Sequence, residues 1–377
     1  MSLFNVYPIY NITPVKALGA KVWDDKGQEY LDFYGGHGVI SAGHSHPVYV
    51  KAVNEQVATL GFYSNSIENP LQEELGKKLV SFSGYPDYSL FLCNSGAEAN
   101  ENALKLASFH NGKKKVVAFN KAFHGRTSAA VAATDNPSIV APINAGHEVF
   151  FLPLNDEEAL KVELAKGDVC CVIIEGIQGV GGLDEGTTLF FKAIEKACND
   201  NDVVLILDEI QSGYGRSGKF FAHQYHDIKP DIITMAKGMG NGFPIGGILI
   251  SPMFKASFGL LGTTFGGNHL ACAAATAVLD VIEQENLMDN VNAMSTYFKE
   301  QAALIPQVKN IKGRGLMLGL EFDFEINELR KKLIYNEFIF TGSASQKNLL
   351  RILPPLSINK EDIDRFFIGL KNALKDL

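Results

Sequence analysis

Five short apolar runs mark the middle of the chain, at residues 116–119, 149–152, 169–174, 203–207 and 232–235. None of them alternates apolar with polar residues. A strand with one wet face shows a period of two, so an unbroken run marks a strand covered on both faces, as in a parallel sheet. Helical patterns at 97–110 and 188–199 separate several of the runs. Strand–helix repetition of this kind builds an α/β architecture with a mostly parallel central sheet. A long helical pattern follows at 268–285 and another at 289–305. The tail carries short strands around 311–322 and a last helix at 360–374. Segment 22–33 reads as a β-hairpin turning at 24–27. The 377 residues exceed what one small domain needs. The expected division is a large α/β domain at 46–271 and a smaller α+β domain built from 1–45 and 272–377. The N-terminal hairpin is expected to join the tail, since chain termini often lie close together.

The formal charge is −8, with 34 Lys and Arg against 42 Asp and Glu. Nucleic-acid binding needs many phosphate-neutralising cations, so no nucleic-acid partner is expected, and any anionic ligand must be held by a local positive site. Residues 1–8 lack a basic start followed by an apolar run, and no apolar stretch is long enough to span a bilayer. The five cysteines show no CxxC spacing. An odd number of such thiols fits a reduced, cytoplasmic protein. The pairs His44/His46 and His223/His226 lack a suitably spaced Cys or carboxylate, so no metal site is expected.

Ligands of open α/β sheets bind at the carboxyl ends of the strands, and the polar residues there are the informative ones. The run 203–207 ends in Asp208-Glu-Ile-Gln211. Asp208 could cap a helix, or it could face a cationic ring nitrogen, with Gln211 near a ring oxygen. The next run leads to Thr234-Met-Ala-Lys237, before a glycine-rich loop. A lysine shielded there loses solvation, its pKa falls, and its amine becomes nucleophilic. Pyridoxal-phosphate enzymes pair such a lysine with an acid at the pyridinium nitrogen. Asn94-Ser-Gly-Ala-Glu-Ala99 opens a helix. The free N–H groups of Ser95, Gly96 and Ala97, with the helix dipole, suit a phosphate, and a plain cap by Ser95 is the alternative. In Lys121-Ala-Phe-His-Gly-Arg126, Phe123 could stack on a flat ring and Arg126 could clamp a carboxylate; a core Phe and a surface Arg compete with that reading. Gly262-Thr-Thr-Phe-Gly-Gly-Asn268 offers Thr263 and Thr264 before the long helix, as a phosphate contact or a cap. Gly213-Tyr-Gly-Arg-Ser-Gly218 matches a dinucleotide fingerprint, but the segment Asp208–Gln211 separates it from its strand and no long helix opens after it.

Taken together, Asp208 to Lys219, Lys229-Pro-Asp231 and Ala236-Lys-Gly-Met-Gly-Asn-Gly-Phe-Pro244 closely resemble the signature of class III aminotransferases. The resemblance extends from Leu31-Asp-Phe33 and Gly43-His-Ser-His-Pro47 to Arg351. It implies fold type I, pyridoxal 5′-phosphate as cofactor, and a homodimer with shared active sites. Within the class, Phe123-His-Gly-Arg-Thr127 and the 94–100 and 262–268 segments look most like acetylornithine or succinylornithine aminotransferases. The resemblance implies that Lys237 holds the cofactor covalently and then carries the proton, while Asp208 pairs with the ring nitrogen and Gln211 lies near the ring oxygen. Ser95, Gly96 and Ala97 would take the phosphate, Phe123 the ring face, and Thr264 the phosphate in the partner subunit. Arg126, Thr263 and Arg351 would bind substrate, Arg351 taking the α-carboxylate of glutamate.

Two departures bear on the substrate. The class usually carries a switching glutamate where Val180 stands, in Glu175-Gly-Ile-Gln-Gly-Val180, and that acid normally neutralises the equivalent of Arg351. His37 stands where ornithine aminotransferases have a substrate-binding tyrosine. The implied reaction moves the δ-amino group of N-acetylornithine or N-succinylornithine to a 2-oxo acid, 2-oxoglutarate, giving glutamate and a semialdehyde, as in arginine synthesis. Ornithine or 4-aminobutyrate as donor is the alternative. A non-catalytic binding protein of this fold would be expected to lack Lys237 or Asp208.

Overall fold

The computed structural model describes residues 3–375 and 377. Met1 and Ser2, on which the reading of the N-terminal stretch begins, lie outside the described residues. The chain opens with strands β1 (Pro14–Leu18), β2 (Lys21–Asp24) and β3 (Glu29–Asp32). The central segment supplies β4 (Ser89–Cys93), β5 (Lys115–Phe119), β6 (Val149–Leu152), β7 (Val169–Glu175), β8 (Val204–Asp208), β9 (Ile232–Met235) and β10 (Gly246–Ile250). The tail adds β11 (Asn310–Arg314), β12 (Met317–Glu321), β13 (Ile339–Phe340), β14 (Gly342–Ser343) and β15 (Leu349–Ile352).

Strands β4 to β10 form one seven-stranded sheet in the order β4-β10-β9-β8-β7-β5-β6. Neighbours from β9 to β6 run parallel, and β10 runs antiparallel to both β9 and β4. The runs of β5, β7, β8 and β9 are buried on both faces, which is why they do not alternate; the edge strand β6 leaves Phe150 exposed. On β8, Leu205 and Leu207 join an apolar layer with Phe190, Phe191 and Ile194 of the helix Thr188–Asn201. Val204 and Ile206 point the other way, into a layer with Ala99, Ala103 and Ala107 of the helix Gly96–Asn111. Each side chain buried this way contributes roughly 1.5–3 kcal/mol.

Strands β4 and β10 extend the sheet beyond the five apolar runs. β10 begins with two glycines because other backbone lies against it. A Cβ on Gly246 would come within 2.6 Å of the Ser95 carbonyl oxygen, and one on Gly247 within 3.0 Å of that of Phe91. The close approach at Gly246 sets the height at which the helix Gly96–Asn111 starts.

The hairpin at 22–33 is present as the β2–β3 pair. β13 pairs parallel to β3, matching Ile339 with Leu31. A third sheet has the order β11-β12-β15-β14. The helix Lys360–Lys375 closes this end, stacking Phe366 on Phe33 at 4.9 Å. One apolar cluster runs from Leu31 and Phe366 through Leu318 and Leu350 to Met235 and Leu249, so the small sheets are anchored on the large one. Among the described residues, no helix is long and apolar enough to cross a membrane.

Candidate active site

The strand ends β7, β8 and β9 lie side by side, with Glu175 in register with Asp208 and Asp208 with Thr234. Asp208 is held by three donors. Its Oδ1 accepts from the Ile210 N–H at 3.0 Å, and its Oδ2 accepts from Asn100 Nδ2 and His124 Nδ1, each at 2.8 Å. The Ile210 bond is a local turn cap, so the capping reading and the charged-site reading hold together. Glu175 is buried, and accepts from the N–H groups of Phe123 at 3.0 Å and Gly179 at 2.8 Å. Burial pushes its pKa up to about 7, against the pull of His124 and with the push of Asp208.

Lys237 follows β9 in the left-handed region, with φ 44°. A side chain there costs roughly 1–2 kcal/mol, so the surrounding packing must impose the conformation. Its amine has no hydrogen-bond or ion-pair partner among the described residues. Burial lowers its pKa, partly offset by the charges of Asp208 and Glu175, and Arg351 lowers it further.

The helix Gly96–Asn111 starts at the same place. Ser95 Oγ accepts from Glu98 N–H at 3.2 Å and the Glu98 carboxylate accepts from Asn94 N–H at 2.7 Å, so the plain cap is realised. The N–H groups of Gly96 and Ala97 are left without partners among the described residues. Gly125, at φ 141°, lets the loop bearing Phe123 and Arg126 press onto this helix; a Cβ there would lie 2.9 Å from that of Ala97.

One cavity of about 380 Å³ is lined by Ser95, Gly96, Ala97, Phe123, Arg126, Asp208, Gln211 and Lys237, together with His124, Glu175, Gly179 and Val180. Arg126 is exposed at its edge and has no ionic partner among the described residues. Arg351 lies behind the wall, 3 % exposed. Its Nη1 donates to the Gly179 carbonyl at 2.7 Å and to Gln211 Oε1 at 3.4 Å, and its Nε has no partner. Burial lowers its pKa, as does Arg330, while the Tyr34 hydroxyl beside it acts the other way. No carboxylate forms an ion pair with it among the described residues. Gln211 Nε2 donates to the His37 carbonyl at 2.9 Å. Desolvation lowers the His37 pKa, as do Arg351 and Lys237.

Within one chain the structure does not bring Thr263 or Thr264 to this cavity. Thr263 Oγ1 accepts from Gly266 N–H at 3.1 Å and from Asn94 Nδ2 at 3.3 Å, beside a separate cleft with Asn65 and Gln72. Thr264 is exposed. The glycines of 213–218 serve packing: a Cβ on Gly213 would lie 2.7 Å from the Glu209 carbonyl oxygen, and one on Gly218 2.2 Å from Asn292 Oδ1. No metal-binding group of three ligands occurs among the described residues. His44, His46 and His223 instead pair with Asp32, Glu285 and Glu209, each at 2.8 Å.

Asn100, His124 and Glu175 were not singled out from the sequence. Two of them carried a signal. Glu175 ends an apolar run as Asp208 does, and Asn100 is a polar residue on the apolar face formed by Ala99, Ala103 and Ala107.

A family model described as aminotransferase class-III matches residues 5–374. The acetylornithine aminotransferase of Bacillus subtilis (strain 168) is 39% identical, over 99% of this chain and 97% of that protein. Its counterpart in Aquifex aeolicus (strain VF5) is 40% identical, over 99% of each. Among solved structures, the ornithine aminotransferase from Toxoplasma gondii ME49 superposes with a TM-score of 0.91 at 28% identity, covering 98% of this chain and 93% of that one. A further structure of ornithine aminotransferase from Toxoplasma gondii, with a TM-score of 0.89 at 28% identity over 97% and 90% of the two chains, has PLP at partial occupancy in its active site.

Proposed function

The chain belongs to the class-III aminotransferases, and on that premise we propose that it holds pyridoxal 5′-phosphate and moves the δ-amino group of an N-acylated ornithine to 2-oxoglutarate. The observation that carries this reading is the unpartnered, desolvated Lys237 amine in one cavity with the Asp208 carboxylate. The residues fit the cofactor part by part. The free N–H groups of Gly96 and Ala97 at a helix start suit its phosphate, Phe123 its ring face, Asp208 its ring nitrogen and Lys237 its carbonyl carbon. When bound, the cofactor supplies the electron sink for carbanion chemistry.

The protein's own part is nucleophile, base and anchors. Burial lowers the pKa of Lys237 and so favours its nucleophilic free amine, which can attack and later move a proton. Asp208 keeps a proton on the ring nitrogen. Arg126, exposed at the cavity edge, presents a planar fork to the donor's α-carboxylate, and Arg351, buried behind the wall beside Gly179 and Gln211, is the group assigned to that of glutamate. The two half-reactions alternate in one site, with glutamate and a semialdehyde as products; in reverse they serve arginine synthesis. The five cysteines are free and buried, which supports a reducing, cytoplasmic setting.

The names of the curated relatives support an acetyl donor. The absence of a carboxylate ion pair on Arg351 among the described residues supports a succinyl one, whose second carboxylate would compensate this cation directly or through water. The deciding measurement is kcat/KM for N-acetylornithine, N-succinylornithine, ornithine and 4-aminobutyrate, in wild type and Val180→Glu. The succinyl donor is expected to lead in wild type, and the restored acid to shift preference toward acetyl. A tenfold wild-type preference for N-acetylornithine, about 1.4 kcal/mol, would remove the anionic-acyl part and leave the aminotransferase.

Thr264, exposed and outside its own chain's cavity, supports a two-fold dimer in which it reaches the partner's phosphate. Co-expressing Lys237→Ala with Thr264→Val chains is then expected to restore activity, because each heterodimer holds one undamaged site. Full activity in an isolated monomer would end the shared-site reading.

A further inference from the structure

A regular strand sends successive side chains to opposite faces, and β7 breaks that alternation once. Val169, Val172 and Ile174 belong to the apolar layer that includes Phe190 and Phe191. Ile173 belongs to the layer on the other face, with Ala99, Ala103 and Ala107 of the helix Gly96–Asn111. Cys170 and Cys171, although adjacent, both join that second layer. The cause is a β-bulge. Lys115 on β5 pairs with Val169, and the next residue, Val116, pairs with Cys171, so Cys170 is an extra residue in the ladder. Its carbonyl accepts from Asn111 Nδ2 at 2.9 Å, which ties the bulge to the end of the helix. The two Sγ atoms stand 3.5 Å apart.

Cys171 is sealed within the layer, whereas Cys170 lines a cleft of about 410 Å³ with Glu101, Lys105, Ser108 and His147. That cleft shares no lining residue with the cavity that contains Lys237. Along β7 the pair lies toward the end away from Glu175. The thiols are also unequal. The hydrogen bond with Cys171 lowers the Cys170 pKa against the effect of burial, and the same bond, with burial, raises that of Cys171. The thiol at the cleft is therefore the readier nucleophile, and its neighbour stands directly behind it.

Two such thiols can close on each other or on a third atom. Adjacent Cα atoms are roughly 3.8 Å apart across a trans peptide, closer than the roughly 4.4–6.8 Å that disulfides span, so closure on each other is disfavoured. A single bridging atom fits. With bonds of roughly 2.3 Å, the length of a zinc–thiolate bond, sulfurs 3.5 Å apart meet it at about 100°. That angle suits a pyramidal trivalent centre and is narrower than the tetrahedral angle of zinc. Soft thiolates also select soft partners. We propose that Cys170 and Cys171 form a chelating dithiol site, outside the catalytic cavity, for a soft trivalent centre such as the arsenic of arsenous acid. Two arsenic–oxygen bonds give way to two arsenic–sulfur bonds. Each thiol proton leaves with one hydroxyl as water, and arsenic stays trivalent, so no oxidant or reductant takes part. The third hydroxyl remains on the cleft side. The site is independent of what the catalytic cavity holds.

The test exposes the full-length protein, kept reduced with a phosphine, to sodium arsenite and removes the excess by gel filtration. Elemental analysis is expected to find one arsenic per chain. Arsenic K-edge absorption on the loaded wild type is expected to show two sulfur neighbours and one oxygen, a readout that needs no variant. Cys170→Ala and Cys171→Ala each leave a single thiol of the pair, so retention is expected to weaken roughly a hundredfold, the scale of losing an intramolecular second bond. Cys198→Ala, which removes a sulfur from the opposite apolar layer, is expected to retain arsenic as wild type does. A native protein that retains none while the urea-unfolded chain does would overturn the proposal. So would a shell of three sulfurs, or wild-type retention in both the Cys170 and the Cys171 variants.

Discussion

Lys237→Ala is expected to lower transamination by roughly 10⁴-fold, the upper end of what one positioned acid–base group contributes. In wild type, borohydride should fix the yellow cofactor to the peptide containing Lys237. The expectation follows from what the side chain lacks. Among the described residues its amine has no hydrogen-bond or ion-pair partner, burial lowers its pKa, and its backbone is held at φ 44°. No cost of that kind is needed to keep an ordinary surface lysine. The cavity would still admit the cofactor in the alanine protein, through the helix start and Asp208, so binding without turnover is the predicted phenotype. A label on another peptide, or a lysine-free site that turns over normally, would remove the basis of the proposed mechanism.

Asp208→Asn is expected to bind the cofactor and to turn over on the order of a hundredfold more slowly, within the range for a positioned acid–base partner. The substitution nearly preserves shape but reverses one hydrogen-bond polarity. The amide oxygen can still cap Ile210. The amide nitrogen then meets two donors, Asn100 Nδ2 and His124 Nδ1–H, where Oδ2 accepted from both. The imidazole can relieve one conflict only by moving its proton to Nε2, which has no acceptor among the described residues. Loss of the negative charge and disorder of its supports act in the same direction. Steady-state kinetics with cofactor content measured alongside decides the matter; activity within about threefold of wild type would reduce Asp208 to its turn cap.

The sheet was legible where burial acts on both faces of a strand. Strands β5, β7, β8 and β9 have uniformly apolar runs because the layers containing Phe190 and Ala103 cover both sides. β10 was illegible for the opposite reason: its leading glycines are set by the neighbouring carbonyls of Ser95 and Phe91, so its sequence records backbone proximity and little side-chain packing. β4 carries a short apolar run, Leu90-Phe-Leu-Cys93, but an exposed and two half-buried residues leave it only partly covered. At the site, Asp208 and Lys237 stood out because polar residues directly after apolar runs have few structural reasons to be there. Glu175 met the same criterion. Asn100 and His124 act through Asp208, and only the packing of the helix Gly96–Asn111 against the strand ends brings them to it. Thr264 marks the limit of a single chain, whose sequence motif can be read but whose counterpart cavity belongs to another copy.

The position of β10 has a consequence for synthesis. β4 has a single neighbour in its sheet, and that neighbour is β10, whose last residue, Ile250, follows Cys93 by 157 positions (250 − 93). On a ribosome adding roughly 5–20 residues per second, the nascent chain carries the β4 backbone without its strand partner for about 8–30 seconds. An unpaired strand edge is a template for pairing with other chains. The glycines that let β10 slide between β4 and β9 thus close an edge of the central sheet that stays open through most of its synthesis, and close it in the same stroke that seats the start of the helix behind Ser95.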